Sequence, residues 1–548
     1  MFKETKHIIF LISILGAILY LPFLGQVHLF DWDEINFAES AREMIVSGNY
    51  LDVQINFEIF WEKPPLFIWL QVLSMKLFGI NEFAARFPNA MVGILSLISI
   101  FLIGKNIKDT QFGLIWTGLY AASIMPFFYF KSGIIDPLFN LFIFLGIYFF
   151  YKFTEDVKKI VLYILLSATF IGLGILTKGP VALLIFGITA FFYMIIKKEY
   201  KKYINLKVLV YYVLILSFVG GFWFILQYLN GNKQILIDFV AYQIRLFATK
   251  DAGHGGFLLY HFVVILIGVF PASILALKGF KLVNDKAKSI QSFHLWMHIL
   301  LWVVMILFTI VKTKIAHYSS MAYFPVTFLA TYFIYYWLAG KKIFSKCLRI
   351  SLVSIAAIWA LIVVAVPLVG LNAKKIIESR LIHDPFANGN LQADVHWSGF
   401  EMLIGIAFLL LVTWSIFFSK NKQKTIIVLL SATLLFTYSV LLVIVPKVEG
   451  YSQRAAIDFY KEKAKESVYI TTYGFKSYAH YFYSKEQLPK NKLYKDKKWL
   501  LSGNTDKTVY VVTKVQIADA FVKEFSNFAK LYEKNGFVFF KKLDIHDK

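Results

Sequence analysis

The sequence carries a single cysteine, Cys347, so no loop of it can hold an internal disulfide. Charge is scarce as well: 17% of the residues are Asp, Glu, Lys or Arg, where a soluble domain averages roughly 25%. That scarcity excludes an ordinary soluble domain, because the apolar residues that take its place reach 58% and gather in runs. No internal repeat and no low-complexity tract is visible. Nor does a short apolar stretch followed by an A-x-A site open the chain, so residues 8–24 read as a retained first span rather than a cleaved signal.

What is present is a series of apolar runs, among them 8–24, 91–103, 138–151, 208–228, 258–277, 348–371 and 426–445. Several approach the roughly 20 residues needed to cross a hydrocarbon core of about 30 Å. The formal net charge is +23, and its placement matters more than its sign. Lysine and arginine cluster in short gaps at 105–108, 152–159, 197–207, 278–288, 341–349 and 420–424, each separated from the next by two apolar stretches. The positive-inside rule then threads about thirteen helices, N-terminus inside and C-terminus outside. This pattern predicts a polytopic α-helical membrane protein. Charge at helix ends rather than along one face argues against nucleic-acid binding.

Two domains are expected: a membrane part over 1–446 and a small outer α/β domain over 447–548. The long first outer loop, about 25–88, is rich in Asp31, Asp33, Glu34, Glu39, Glu43, Glu58 and Glu62. Phe37, Ala41, Met44 and Ile45 recur there at helical spacing opposite Glu39, Arg42 and Glu43, so Asp33–Ser47 reads as an amphipathic surface helix stopped by Gly48. A second surface helix opens at Pro64-Pro65 and runs to Gly79. Past Lys447 the chain turns lysine-rich, with a helical pattern at 455–460 and β-branched runs at 468–472, 508–512 and 536–540.

Five outward positions bear chemistry. Asp33-Glu34 either cap and complement the helix they open, or supply a general base. Glu62-Lys63 precede a helix start, where an ammonium beside free backbone N–H groups suits phosphate; the alternative is a snorkelling lysine paired with Glu62. Asp136 before Pro137 has the form of an N-cap, and Lys178-Gly179-Pro180 repeats the lysine-before-helix arrangement. The fifth position, from Arg245 to Gly256, holds His254, either a solvated loop histidine or a metal ligand with Glu62. Lys312, Lys314 and His317 add snorkelling ends or a basic patch. Cations that suit phosphate and carboxylates that suit activation of a hydroxyl, in an apolar surround, fit a transferase acting on a lipid phosphate.

Residues 33–44 (DEINFAESAREM), 60–66 (FWEKPPL), 81–86 (NEFAAR), Asp136-Pro137, 176–180 (LTKGP) and 314–325 resemble the GT-C membrane glycosyltransferases. The likeness is to bacterial transferases of 4-amino-4-deoxy-L-arabinose onto lipid A and to their protein-mannosyltransferase relatives. The resemblance implies a GT-C fold and inverting transfer of a sugar from a polyprenyl phosphate donor to lipid A or another glycolipid, by a monomer whose site and C-terminal domain face the periplasm. A protein hydroxyl or a surface glycan is the alternative acceptor. A lipid or sugar transporter is the alternative from another class, but charges at mid-membrane and broken helices in repeated halves, which it would favour, are not visible. By resemblance Asp33 is the main catalytic carboxylate, with Asp136 and Glu62 in the same set. Lys63, Lys178 and Arg245 bind the donor phosphate, and Glu62 with His254 holds a divalent cation, zinc or magnesium/manganese. Phe37 and Phe60 stand where the lipid A enzymes carry tyrosines, which removes two hydroxyls.

Overall fold

The computed structural model describes residues 2–30, 32–155, 159–198, 206–249, 255–283, 288–488 and 490–543. Helices dominate them. Seven are long and apolar enough to cross a membrane: Glu82–Ile107, Asp136–Glu155, Ile160–Lys178, Leu206–Leu229, Lys288–Ile310, Lys346–Leu371 and the run Lys422–Gly450. The pair Thr110–Ala122 and Ile124–Phe130, bent by 74°, makes an eighth if it is one span. Among the described residues this count is below the thirteen expected from charge spacing. Phe2–Tyr20 opens on Lys3, Glu4 and Lys6, and Val181–Lys197 and Met402–Phe417 have only 17 and 16 residues.

The two ends of the bundle differ chemically. At one, lysine-rich gaps distant in sequence meet. Lys342 Nζ donates to the carbonyls of Lys278 and Lys281 at 2.7 Å, Lys422 Nζ to that of Trp337 at 3.0 Å, and the Tyr335 hydroxyl to Asp109 at 2.5 Å. Parts of the gaps at 152–159, 197–207 and 278–288 lie outside the described residues.

At the other end the first loop lies under the C-terminal residues. Asp33–Ser47 is helical as its periodicity predicts, and Gly48, at φ 72°, closes it with its N–H on Met44 O. The expectation of a surface helix with a solvated polar face is corrected: every residue from Glu34 to Met44 is buried. Arg42 pairs with Glu39 at 2.6 Å and donates to the Glu486 carbonyl at 2.5 Å. The Glu43 carboxylate accepts the N–H groups of Asn56 and Phe57, which turn the hairpin of β1 (Gln54–Ile55) and β2 (Glu58–Ile59) at positive φ. The charged face is covered by protein that meets its hydrogen bonds, as burial of such groups requires. The second helix is Leu66–Phe78, with Pro65 at its N-cap.

The C-terminal residues build a four-stranded sheet, β3 (Val468–Tyr473), β4 (Thr508–Lys514), β5 (Phe528–Lys534) and β6 (Phe537–Lys542), in the order β3-β4-β6-β5. The β3–β4 pair is parallel and the other two are antiparallel. Alternation along the strands sends Val509, Val511, Val538 and Phe540 to one core, while Tyr510, Val512, Phe537 and Phe539 join the core shared with the bundle. The helix Arg454–Lys463 seats Phe459 on that second face, 4.6 Å from Phe539.

One buried ion pair locks the loop to the bundle. Arg86, on Glu82–Ile107, donates to both oxygens of Glu34 at 2.9 and 2.8 Å and to the carbonyls of Leu24, Val27 and His28. Glu34 also accepts the N–H groups of Phe30 and Gly133. Burial alone would raise the Glu34 carboxyl, but the Arg86 charge and these hydrogen bonds outweigh it and hold the group below the usual carboxylate value. Arg86→Leu strands this carboxylate in the interior and should cost about 3–5 kcal/mol. In detergent, thermal unfolding of R86L should show a large drop in midpoint, partly restored in the Glu34→Leu/Arg86→Leu double variant. An unchanged midpoint would refute the clamp.

Candidate active site

Asp33 and Glu34 are adjacent and do different work. Trp32 is the N-cap and no side chain caps the helix, so the capping role weighed for this pair is not realised. While Glu34 faces Arg86, Asp33 faces two cavities, of about 630 and 400 Å³, and lines both together with Trp32, Ile315 and His317.

The smaller cavity brings Lys63 and Lys178 together. Lys178, the last residue of Ile160–Lys178, pairs at 2.5 Å with Asp136, the first residue of Asp136–Glu155. Lys63 Nζ lies 4.9 Å from the centre of the Tyr242 ring, and the Tyr242 hydroxyl donates to Glu62 at 2.9 Å. Burial lowers the Lys63 ammonium below the usual lysine value; Glu62 and Asp33 oppose this, while Lys178 adds to it. Arg245 is exposed, with its guanidinium 5.0 Å from the same Tyr242 ring. The larger cavity is walled by apolar side chains such as Phe23, Phe128 and Leu441, with Lys131 and Arg86 among its few charges.

His317 joins the carboxylates. From the short helix Ala316–Ala322 its Nε2 lies 3.4 Å from Asp33 Oδ2 and 3.9 Å from Asp136 Oδ2. Asp136 keeps 3% of its side chain accessible and Asp33 keeps 31%, so Asp33 is the carboxylate a substrate can reach. Lys314, weighed with His317 as a basic patch, instead caps a helix: its Nζ donates to the carbonyls of Phe308, Thr309 and Val311.

Asp33, Glu62, Lys63, Asp136 and Lys178 therefore gather around one cavity, with Arg245 beside its Tyr242 wall. His254 lies outside the described residues, as does Asp31. Among the described residues no three His, Cys, Asp or Glu side chains converge as a metal ion would need, and the Glu62 carboxylate is engaged by Tyr242. Sequence reasoning missed Tyr242, whose one signal is its place three residues before Arg245 on the same helix face. It also missed Trp32.

Residues 62–223 match the family model described as dolichyl-phosphate-mannose-protein mannosyltransferase, a segment that takes in Glu62, Lys63, Asp136 and Lys178. A protein of Aquifex aeolicus described as uncharacterized is 27% identical over 377 residues, 66% of this chain and 68% of that protein. The undecaprenyl phosphate-alpha-4-amino-4-deoxy-L-arabinose arabinosyl transferase of Wigglesworthia glossinidia brevipalpis is 27% identical over 347 residues, 60% of this chain and 59% of the relative's length. The crystal structure of ArnT from Cupriavidus metallidurans bound to undecaprenyl phosphate shares the fold, with a TM-score of 0.76 over 98% of this chain and 99% of that one at 15% identity. These matches support a glycosyltransferase of the GT-C kind.

Of the two first-loop phenylalanines, Phe37 and Phe60, the first bears on the cavity wall. Phe37 is buried, lines the smaller cavity and packs edge-on against Phe67 at 6.0 Å. It presents a ring edge and no hydroxyl there.

Burial holds the His317 imidazole below the usual histidine value, against the pull of Asp136 and Asp33 and with the push of Lys178 and Lys63, so the ring is neutral at pH 7. An unfolded histidine titrates near 6.5, so below that pH the unfolded chain holds a proton that the folded one refuses. Stability should fall as the pH drops below about 6.5, and less steeply in His317→Gln than in the wild type. Unfolding midpoints measured across that range check this, and parallel curves for the two proteins would refute it.

Proposed function

We propose that this chain transfers a sugar from a polyprenyl phosphate donor to a lipid acceptor, with inversion at the anomeric carbon, where its two cavities meet at Asp33. The observation that carries this reading is the shared wall: Asp33 stands between a cavity lined by Lys63 and Lys178 and a larger one whose Arg86 is taken by Glu34 and whose Lys131 is taken by backbone carbonyls. Lys63 and Lys178 suit a phosphate, and the undecaprenyl phosphate named with the Cupriavidus structure is such a ligand. The acceptor, lipid A or another glycolipid, enters the larger cavity.

Asp33 takes the proton from the acceptor oxygen, a hydroxyl or a phosphate monoester, as that oxygen attacks the anomeric carbon. The bond from that carbon to the donor phosphate breaks, and the electron pair leaves on the polyprenyl phosphate. Lys63 and Lys178 stabilise the charge that grows there, which for a good leaving group helps more than an acid would. Asp136 holds Lys178 in place, and His317, 3.4 Å from Asp33, steadies that carboxylate from the cavity wall. Arg245 adds charge at the approach. Loss of the tyrosine hydroxyls at Phe37 and Phe60 points to a donor sugar with less need of hydrogen bonds at those places.

The match to the mannosyltransferase model favours one second reading, a protein hydroxyl as acceptor. Mass spectrometry of lipid A, surface glycans and membrane proteins from cells with and without the gene separates the two by which fraction loses a sugar.

Asp33→Asn should lower transfer by about 10²–10⁴-fold while donor binding persists. Lys63→Ala should instead weaken donor binding by about tenfold. Turnover and donor affinity measured on both proteins test this, and normal turnover by folded D33N would sink the mechanism. We also place the site and residues 447–548 on the periplasmic face of the inner membrane, because the lysine-rich gaps close the opposite end of the bundle. Reporter fusions after Lys197 and after Lys447 should give opposite sides, and the same side for both would overturn the orientation.

A further inference from the structure

A third cavity, of about 260 Å³, lies away from the two at Asp33, between the C-terminal sheet and the β1–β2 turn. Its lining differs from theirs. It includes Lys476 and Lys497, the rings of Tyr478 and Tyr481, and Thr471 and Ser477. His480 also lines it, only 3% exposed, and among the described residues neither of its ring nitrogens has a hydrogen-bond partner. Buried imidazoles are nearly always hydrogen-bonded, so a ring with both nitrogens unmet beside a polar cavity marks a place built to receive a polar group.

The charges indicate which group. Burial, helped by Lys497, drives the His480 value down to about 3, so the ring is neutral and offers one N–H donor and one acceptor. Glu486, the one carboxylate in the lining, is pushed up to about 8 by burial and by Glu39, so at neutral pH it carries a proton and does not repel an anion. A third lysine, Lys495, is already committed to the Phe57 carbonyl at 3.0 Å and to Glu58 at 3.6 Å. Lys476 and Lys497 remain as ammonium groups for a phosphate, and the tyrosine rings offer flat faces to a sugar.

The position relates this cavity to the reaction. The Tyr478 ring lies 5.1 Å from that of Trp32, and Lys476 Nζ stands 4.7 Å from the Trp32 ring and 5.3 Å from that of Tyr478. Trp32 lines both catalytic cavities, so these two rings form the partition between the polar cavity and Asp33. We infer that the third cavity is a subsite for a phosphorylated saccharide, the headgroup of the acceptor, held by Lys476, Lys497 and His480 one aromatic layer from the site of transfer. As an acceptor subsite it rests on the proposed transfer between the two cavities at Asp33.

Calorimetric titration of the full-length protein in detergent with glucose 1-phosphate tests it, because binding is read without any turnover. Saturable binding is expected, weakened about tenfold or more in Lys476→Ala/Lys497→Ala and retained in Lys63→Ala. Both lysines are exposed, so the double variant keeps its fold. The inference is overturned by absence of saturable binding, by inorganic phosphate binding as tightly as the sugar phosphate, or by loss in K63A with none in the double variant. Each of these results leaves the mechanism at Asp33 standing, whereas normal turnover by D33N would fail that mechanism and leave this binding in place.

Discussion

The geometry of the site depends on the buried pair between Glu34 and Arg86. Successive residues of a helix point about 100° apart, so fixing the direction of Glu34 also fixes that of Asp33. Arg86 binds three carbonyls of the segment before the helix as well as the carboxylate, and Glu34 reaches the N–H of Gly133 near the start of Asp136–Glu155. The pair therefore sets the helix of the first loop against the two helices that carry Arg86 and Asp136. A buried ion pair is weak evidence for stability as such. Here it fixes position: it orients a half-exposed carboxylate that has no such network of its own.

Around Asp33 the charges nearly balance. Lys63 and Lys178 face Asp33, Asp136 and Glu62, with a neutral His317 between the first two carboxylates. In a partly desolvated cavity, opposite charges a few ångströms apart interact far more strongly than in water. In the proposed reaction an arriving phosphate would compete with Asp136 for Lys178 and with the Tyr242 ring for Lys63. Neither cation is lost to bulk solvent in the meantime, so little reorganisation is left for the transition state.

Much of this was legible beforehand, for reasons that differ by element. Asp33–Ser47 and its stop at Gly48 followed from apolar spacing and a left-handed glycine, both local properties. β3, β4 and β6 were visible because their β-branched and aromatic runs are buried on both faces. β5 was not, because FAKLYEK is an edge strand whose lysines and glutamate face water and break the apolar signal. The covering of Arg42 was hidden for a different reason: sequence shows that a face is polar, and the Glu486 carbonyl that meets it lies more than four hundred residues on. The same holds for the Asp136–Lys178 pair, whose members each had a sufficient local explanation as cap or helix start. Local rules describe the helix each residue sits on, and the site is made of contacts between helices.

The two cavities that share Asp33 bear on the order of events. Transfer through a covalent enzyme-bound intermediate would let one product depart before the second substrate arrives. On the proposed function, a separate volume on each side of the same carboxylate would let both lipids reside at once, with the sugar crossing directly between them. Rate plots against one substrate at several fixed levels of the other then intersect rather than run parallel. Separate volumes would likewise keep the spent carrier and the modified lipid apart, so that neither product need block the next substrate of the other kind.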